Sequence, residues 1–264
     1  MYQGGSSKIT IFLAKKELKR IMASAGKALA ISGSERKDSN TDFFLNIVLE
    51  ECAKGGLDTE LIPLRDKTIN GCIYDQCKAA CGYQHPPHWI PKYAKCFQWQ
   101  DDDFWPIFEK MKVADAIILG SPCYFGSATP KIKAIIDRAG ICGEARGHYI
   151  RYLKDPEDKR KALEILEKAT PEEKKIYENG VFYRKVGAAV CVTRRTGANF
   201  TLAQMEFFFG ICNMIQPGSC YWNMSVGGAL GYRISKGEYK DDEGIEIHKT
   251  LGQNIAWLVK QLKK

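Results

Sequence analysis

Apolar residues follow two patterns along the chain: short unbroken runs, and longer stretches in which they recur at helical spacing. The unbroken runs predict strands that are buried on both faces, at residues 27–32, 114–122 and 185–193. Helical spacing predicts helices at 41–56, 101–114, 129–140, 199–214 and 241–264. Alternating apolar and polar residues predict a half-buried strand at 57–64, and a last strand is predicted at 218–225.

Boundary signals accompany two of these helices. Thr129 is the expected N-cap of the helix at 129–140, with Pro130 as its first helical residue and Gly140 just past its end. The helix at 101–114 begins with three acidic residues, Asp101–Asp103, which we expect to lie at its positive end.

The order of the predicted elements indicates the fold class. Strands that alternate with helices favour an α/β fold with an open, mostly parallel sheet and helices on both faces. Two segments depart from this pattern: a cysteine-rich loop at 67–100 and a charged helical insertion at 145–184, with helix-like pieces at 156–169 and 170–179. We therefore divide the chain into a basic N-terminal arm, residues 1–26, and one domain, residues 27–264.

Composition and charge exclude several functional classes. The chain has 264 residues, 45% hydrophobic and 27% charged, which is typical of a globular domain and not of disordered or fibrous proteins. Residues 1–30 carry six basic side chains and one acidic one, so most of the net charge of +8 is local. No nucleic-acid-binding signature accompanies it, and no nucleic-acid partner is expected. Without a membrane-length apolar run or a secretory leader, we expect a cytoplasmic protein with no membrane partner.

Ten cysteines call for an explanation, because cytoplasmic thiols are normally kept reduced. Four of them fall in one 25-residue stretch, which raises the question of a metal site: Cys72, Cys77, Cys81 and Cys96. The other six are scattered among apolar neighbours, and we interpret them as small core residues: Cys52, Cys123, Cys142, Cys191, Cys212 and Cys220.

Two loops that follow predicted central strands have the composition of ligand-binding loops. The first, residues 32–41, places hydroxyls, an amide and Arg36 before a helix N-terminus, where a phosphate group is favoured. A polar loop that only caps the helix is the alternative. The second, residues 121–131, surrounds Tyr124 and Phe125 with small residues, so its backbone N–H groups could donate to a planar ring, although packing alone is the alternative.

Five segments in a fixed order resemble the flavodoxin-like NADPH-dependent FMN reductase family, and within it the iron–sulfur flavoprotein branch. They are ISGSERKDSNT, INGC with further cysteines, KC before DDDFWPIFEKM, ILGSPCYFGSATPKIKAIIDRAG and VTRRTGANFTLAQMEFFF. The resemblance covers about residues 27–225. It implies a five-stranded parallel sheet in the order 2-1-3-4-5 that binds FMN where the strand order reverses.

The resemblance also implies roles for individual residues. Those expected to hold the FMN phosphate lie at or after the first strand: Ser32, Ser34, Arg36, Ser39, Asn40 and Thr41. Those expected to line the isoalloxazine ring lie in the second loop: Pro122, Cys123, Tyr124, Phe125, Gly126 and Ser127. Thr193, Arg194 and Gly197 are expected to close over the other side of the flavin. The Arg194–Arg195 pair contacts the phosphate of NADPH or is simply solvated.

The cysteine spacing departs from that of the resembled branch. The branch has C-x2-C-x2-C and a fourth cysteine soon after, whereas this chain has Cys72-x4-Cys77-x3-Cys81-x14-Cys96. The first interpretation is a [4Fe–4S] cluster, since a loop can supply four thiolates at varied spacing. A zinc site that uses some of these cysteines with His85 or His88 is the second. Cysteines without a metal are the third.

The implied function is an FMN-dependent oxidoreductase in which flavin carries the chemistry, so no catalytic side chains are predicted. Electrons would come from NAD(P)H or a ferredoxin-like donor. The alternatives are a cluster-free NAD(P)H-dependent flavin or quinone reductase, and a non-enzymatic, flavodoxin-like electron carrier. A metal-sensing regulator that uses the cysteine loop is a more distant rival. The resemblance also implies a homodimer or homotetramer, with subunit contacts from the arm and the insertion as one hypothesis and a solvated flap as the other.

Overall fold

The computed structural model describes residues 24–73, 101–143, 154–228 and 232–264. Within these ranges, five parallel strands form one sheet in the order β2-β1-β3-β4-β5. The strands are β1 (Lys27–Ser32), β2 (Asp58–Pro63), β3 (Ala116–Pro122), β4 (Val186–Thr193) and β5 (Met224–Val226). The predicted flavodoxin-like sheet is therefore confirmed.

Seven α-helices accompany the sheet in the part of the chain that the structure describes. They are α1 (Asn40–Lys54), α2 (Phe104–Val113), α3 (Pro130–Gly143), α4 (Pro156–Glu167), α5 (Pro171–Asn179), α6 (Ala198–Ile211) and α7 (Asp242–Leu262). A short 3-10 helix spans Ile234–Lys236.

The three central strands are buried on both faces, as their unbroken apolar runs predict. Helices α1 and α7 pack on one face of the sheet. Helices α2, α3 and α6 pack on the other face. These two layers leave the carboxyl ends of β1, β3 and β4 as one open edge, and ligands of open α/β sheets bind at that edge.

Helix α3 begins at Pro130 as predicted but ends later than predicted. Gly140 lies inside the helix, which continues to Gly143 because Cys142 packs in the core and Gly143 lies against the Phe182 ring. Thr129 precedes Pro130 as predicted, but its buried hydroxyl oxygen has no hydrogen-bond partner among the described residues. Instead, the backbone N–H of Thr129 donates to Ser121 Oγ over 3.0 Å, which joins the helix start to the end of β3.

The last strand is shorter than predicted. Only Met224–Val226 pairs with β4, whereas Tyr221 and Trp222 are exposed. An aromatic-rich sequence favours a strand, but extended residues at a sheet edge form no ladder unless their backbone reaches a neighbour.

The charged insertion contains the two predicted helices, and each has a clear start signal. Asp155 caps α4 by accepting from two backbone N–H groups. Thr170 and Glu173 form a capping box at α5. The insertion is nevertheless not only an excursion from the core, because Phe182 at its carboxyl end is fully buried, with its ring 5.7 Å from that of Phe208.

The six scattered cysteines do not all belong to the core. Cys52, Cys142, Cys191 and Cys212 are buried, as predicted. The prediction is wrong for Cys123, which is half-buried, and for Cys220, which is exposed. Burial raises the pKa of the Cys52 and Cys191 thiols to about 12, so both behave as small apolar groups.

No helix in the described ranges has the length and apolarity that crossing a bilayer requires. The N-terminal arm up to residue 23 and most of the cysteine-rich loop, residues 74–100, lie outside the described residues. The predictions for Cys77, Cys81, Cys96, His85 and His88 fall there.

Candidate functional site

A cavity of about 420 Å³ lies at the carboxyl edge of the sheet. Its volume falls in the range of about 300–1,000 Å³ that small-molecule sites occupy. Ten of the predicted cofactor-binding residues line it: Ser34, Arg36, Ser39, Asn40, Thr41, Pro122, Cys123, Tyr124, Thr193 and Arg194. Loops that are far apart in sequence therefore meet at the predicted position, where the strand order reverses.

The β1 loop supplies donors to one end of the cavity. Ser34 is buried and its Oγ accepts the Arg36 backbone N–H over 3.3 Å, which shapes the turn below the exposed Arg36 side chain. The backbone N–H groups of Asn40 and Thr41 begin α1 and have no acceptor among the described residues. Unpaired N–H groups at a helix N-terminus attract an anion.

Two predicted phosphate ligands have structural tasks as well. Ser39 Oγ caps α1 by accepting the Asp42 N–H over 3.0 Å, so the alternative of a helix cap is correct for this side chain. The Asn40 side chain bonds at both ends to the C-terminal segment: Nδ2 donates to Tyr232 O over 2.9 Å and Oδ1 accepts from Ile234 N over 3.0 Å. These two bonds hold the Asn40 side chain on the C-terminal segment, and its backbone N–H at the start of α1 is a donor to the cavity.

A tight two-residue turn ends the β3 loop. Tyr124 and Ser127 exchange backbone hydrogen bonds of 2.9 and 3.1 Å, while Phe125 and Gly126 have φ values of 52° and 78°. Positive φ at both central positions is the geometry of a type I′ turn. The Phe125 side chain is fully exposed, and Ser32, Phe125, Gly126, Ser127 and Gly197 are not among the described residues that line the cavity.

The β4 loop closes against this turn through Gly197, the N-cap of α6. Gly197 has a φ of 90°, and a Cβ added to it would lie 2.7 Å from Cys123 Sγ and 2.9 Å from Gly126 Cα. The Thr193 hydroxyl donates to Thr196 O over 3.0 Å and holds the same loop closed. Both loops thus form one wall, although Gly197 itself lies behind it.

We expect Gly197→Ala to lower the free energy of unfolding by about 2 kcal/mol, since the substitution adds both left-handed strain and a backbone clash. Gly210→Ala is the matched control in the same helix, because a Cβ there meets nothing within 4 Å. The control should be neutral or stabilise by up to about 1 kcal/mol. Urea denaturation of both variants measures the difference, and equal stabilities would contradict this account of the wall.

Four contributors to the site were not predicted from the sequence, of which Val192, on β4, lines the cavity. Gln204 Oε1, on α6, accepts from Ser127 Oγ over 3.1 Å and from Ala128 N over 2.8 Å, and so holds the β3 loop from outside. Gly227 and Gly228, after β5, line the cavity directly. A Cβ on Gly228 would lie 2.7 Å from Tyr232 Cβ, so only glycine allows the backbone to approach Tyr232 this closely. The pair of consecutive glycines after a predicted strand was the available signal.

The charge of the cavity is positive. Arg36 and Arg194 line it, and no Asp or Glu of the described residues does. Two guanidinium groups, unpaired helix N–H groups and hydroxyls form a donor set suited to a phosphate dianion. The other part of the cavity lining, formed by Pro122, Tyr124 and Val192, is largely apolar and suits a planar ring.

Hydrogen bonds join the two ends of the cysteine-rich segment. Asp103 N donates to Thr68 O over 2.9 Å, and Thr68 N donates to Asp103 Oδ2 over 2.8 Å. Asn70 N donates to Asp102 Oδ2 over 3.0 Å. Cys72 follows this neck and is half-buried, and within the described ranges no three His, Cys, Asp or Glu side chains form a metal-binding group.

Comparisons with known proteins agree with this geometry. The model of the NADPH-dependent FMN reductase family matches residues 27–153. An iron-sulfur flavoprotein of Methanocaldococcus jannaschii is 32% identical over 243 residues, which are 90% of this chain and 100% of that protein. An iron-sulfur flavoprotein of Archaeoglobus fulgidus is 39% identical over 115 residues, 43% of this chain and 48% of that protein.

A solved structure described as a flavone reductase superimposes with a TM-score of 0.58 at 20% identity, over 90% of this chain and 64% of that one. That likeness concerns the fold alone. The full-length similarity in sequence carries the family assignment. The chain is an FMN-dependent oxidoreductase that belongs to the iron–sulfur flavoprotein branch of the NADPH-dependent FMN reductase family.

Proposed function

We propose that the protein accepts electrons from NAD(P)H or a ferredoxin-like donor and passes them on through FMN, with a [4Fe–4S] cluster on the cysteine-rich loop. The cavity at the carboxyl edge of the sheet, which no Asp or Glu of the described residues lines, is the observation that carries the proposal. It combines a phosphate-type donor set with an apolar end, and the segments that follow β1, β3, β4 and β5 converge on it.

In this proposal, FMN lies across the cavity. Arg36, Ser34 and the backbone N–H groups at the start of α1 hold the phosphate. Pro122–Ser127 and the loop that contains Thr193, Arg194 and Gly197 hold the ring system from two sides. Bound FMN would supply hydride and single-electron chemistry, for which the protein needs no acid–base side chain.

The residues of the chain orient the ring and control access to it. Gln204 fixes the β3 loop through Ser127 and Ala128, so the loop can donate backbone hydrogen bonds without first becoming ordered. The exposed Tyr124 and Arg194 stand at the cavity mouth, where a nicotinamide dinucleotide would approach. Arg194 is then a partner for its phosphate groups.

The cluster part of the proposal rests on four thiolates, Cys72, Cys77, Cys81 and Cys96. The neck that joins Thr68–Asn70 to Asp102–Asp103 supports it, because it returns a segment of about thirty residues to its starting point. The names of the iron-sulfur flavoproteins of Methanocaldococcus jannaschii and Archaeoglobus fulgidus support it as well.

The decisive experiment is an ultraviolet–visible spectrum of protein purified without oxygen, with iron, zinc and acid-labile sulfide assayed on the same sample. The proposal predicts flavin bands, a broad shoulder and about four iron atoms per chain. Flavin without metal would favour the cluster-free reductase, and zinc would favour the Cys/His site. Absence of flavin after reconstitution with FMN would refute the central claim.

A second assay separates an enzyme from a non-enzymatic carrier. Steady oxidation of NAD(P)H with a quinone or free flavin as acceptor is expected of a reductase. A flavodoxin-like carrier would need a separate reductase to reach the same rate. Reduction by a ferredoxin alone would identify the donor as a one-electron carrier.

We expect Arg36→Ala to raise the Kd for FMN by about tenfold to a hundredfold, because a hydrogen bond to a charged group contributes about 1.5–3 kcal/mol. Lys37→Ala is the matched control, since Lys37 is exposed in the same loop and does not line the cavity. Its Kd should stay within about twofold of that of the parent. Flavin fluorescence quenching measures both, and equal effects would remove Arg36 from the phosphate site.

The proposal includes a homodimer or homotetramer. The outer face of α6 supports it, since Phe200, Phe207 and Ile211 are all exposed on that helix. Large exposed apolar groups on one helix face are typical of contact surfaces.

A further inference from the structure

A second cavity, of about 550 Å³, lies at the opposite, amino edge of the sheet. It is formed by α5, the turn that leads into β4, the residue before β3 and the end of α7. Strands β3 and β4 separate it from the flavin cavity by about 20 Å. Most of its lining comes from the insertion at 145–184 and the residues beside it, to which the FMN chemistry assigns no task.

The lining of this cavity carries a net positive charge. Four cations line it, Lys175, Arg184, Lys185 and Lys263, against two acids, Asp115 and Glu172. Asp115 is already engaged, because its Oδ2 accepts from Lys27 N over 2.8 Å and from Lys263 Nζ over 3.0 Å. Lys175, Arg184 and Lys185 form no ion pair with a carboxylate of the described residues.

Lys185 is the most constrained of these cations. Its Nζ donates to Lys112 O over 2.8 Å and to Ala114 O over 2.5 Å, which leaves one of three N–H groups without an acceptor among the described residues. Burial lowers the pKa of the Lys185 ammonium. Both hydrogen bonds of Lys185 Nζ go to neutral carbonyls. The nearby Asp115 carboxylate, which raises this pKa, is shared with Lys27 N and Lys263 Nζ, so the cavity favours a further anion.

Arg184 stands beside Lys185 in a strained backbone conformation. Its φ is 58°, in the left-handed region that non-glycine residues seldom adopt, and its guanidinium carbon lies 5.0 Å from the centre of the Tyr183 ring. Strain of this kind is retained at functional sites more often than elsewhere. In this chain the strained residue is Arg184, and its exposed guanidinium lines the same cavity as the Tyr183 ring.

The rest of the cavity offers an apolar surface. Ile176 from α5, Val181 from the turn, and Val259 and Leu262 from α7 line it together with Tyr183. The combination of an apolar wall with fixed cations matches a small molecule that has an apolar body and one anionic group.

We propose that this cavity is a second ligand site, which binds a small organic anion with an aromatic or acyl body and a carboxylate, sulfonate or phosphate group. Lys185 and Arg184 hold the anionic group, and the α5 and α7 side chains contact the body. The insertion at 145–184 thereby contributes to a binding site at the amino edge of the sheet, opposite the flavin cavity.

The N-terminal arm is the other occupant to be considered. The described chain passes the rim of the cavity just before β1, because a Cβ on Gly26 would lie 2.7 Å from Val259 Cγ1 and 2.9 Å from Asp115 Oδ2. Residues 1–23 precede this point in the sequence. Those residues carry five basic side chains and one acidic one. Like charges repel, which favours a separate anion over the arm.

The test is calorimetric titration of the full chain, saturated with FMN, with 2-naphthoate and with the uncharged 2-naphthalenemethanol. We expect the acid to bind at least about tenfold more tightly than the alcohol, because only the acid pairs with the cations. Arg184→Gly should weaken binding of the acid by about tenfold and leave the alcohol unchanged. This variant relieves the left-handed strain, so it keeps the fold.

Lys185→Met should have the same effect, and Lys133→Met, at an exposed cation on α3, is the matched control with no effect. Equal binding of acid and alcohol, or unchanged binding in Arg184→Gly, would overturn the proposal. Binding of the acid to the FMN-free chain that disappears on saturation with FMN would do so as well, because it would place the acid in the flavin cavity. Binding that appears only in a chain without residues 1–23 would identify the arm as the occupant.

Discussion

Replacing Arg138 by methionine is expected to lower the free energy of unfolding by about 3–5 kcal/mol, the largest effect of any substitution considered for this protein. Arg138 lies on α3 and its side chain is only 1% exposed, and that of its partner Asp102 is 3% exposed. Methionine keeps the apolar stem of the side chain and removes the charged guanidinium together with its N–H donors. The loss would leave the Asp102 carboxylate buried without a counterion.

The ion pair is the centre of a buried hydrogen-bond network. Arg138 donates to both oxygens of Asp102, and its guanidinium lies 4.0 Å from the centre of the Phe104 ring. Asp102 also accepts from the Asn70 backbone N–H over 3.0 Å and from Phe104 N over 3.2 Å. Each of these donors would face a carboxylate that has lost its main partner.

Lys133→Met is the matched control, because Lys133 forms an ion pair with Asp137 on the same helix and both side chains are exposed. An exposed i,i+4 pair contributes only about 0.3–0.5 kcal/mol. The double variant Arg138→Met with Asp102→Asn should recover part of the loss, since it removes both buried charges. Urea denaturation measures all three, and similar losses for the two methionine variants would contradict the assignment.

The same network closes the cysteine-rich segment. Arg138 and Asp102 join Asn70, two residues before Cys72, to the start of α2. We therefore expect the Arg138→Met variant to be cleaved faster by proteases between residues 71 and 101 than the Lys133→Met variant. A stability loss without faster cleavage would mean that the network serves α3 alone.

The sequence predicts the central layers of this fold well because their signals are local. Unbroken apolar runs identify β1, β3 and β4, since strands covered on both faces have no polar face to interrupt the run. The insertion helices are predicted from their helix-like sequences, and the structure shows Asp155 and Thr170 as their caps. The predicted binding loops follow from position, because the loops after central parallel strands share one edge.

What the sequence does not predict depends on contacts between distant segments. The acids Asp102 and Asp103 are expected at a helix dipole, yet they bind the backbone of residues 68–70 and, for Asp102, Arg138. No local sequence pattern indicates the contact of Gln204 with the β3 loop or the bonds of the Asn40 side chain to Tyr232 and Ile234. Gly140 is a helix-end signal that tertiary packing of Cys142 and Gly143 overrides.

The binding cavities also differ in how far local sequence signals predict them. Residues in the β1 and β3 loops are predicted because short polar or small residues cluster after a strand. The cation-lined second cavity is not predicted, since its lining comes from α5, the entry to β4 and the end of α7. Only the folded chain brings those segments together.

His248 provides the second large effect, a dependence of stability on pH. The side chain is fully buried on α7, with Nδ1 2.6 Å from Gly244 O and 3.3 Å from Ser225 Oγ. Nε2 is buried with no hydrogen-bond partner among the described residues, and the ring lies 4.9 Å from that of Phe44. Burial lowers the pKa of His248 to about 4 from an ordinary value of 6.5.

The lowered pKa makes the folded state lose stability as the pH falls. Above pH 6.5 the imidazole is neutral in both states, whereas between pH 6.5 and about 4 only the unfolded chain takes up the proton. The free energy of unfolding should therefore fall by about 1.4 kcal/mol per pH unit in this window, or about 3 kcal/mol in total.

His248→Asn keeps a donor for Gly244 O and removes the titrating ring. Urea denaturation at pH 7.5, 6.5, 5.5 and 5.0 gives the free energy of unfolding of the parent and the variant. The variant should lose less of it as the pH falls, even if it is less stable at pH 7.5. Parallel losses in the two proteins would show that His248 is protonated equally in the folded and unfolded states.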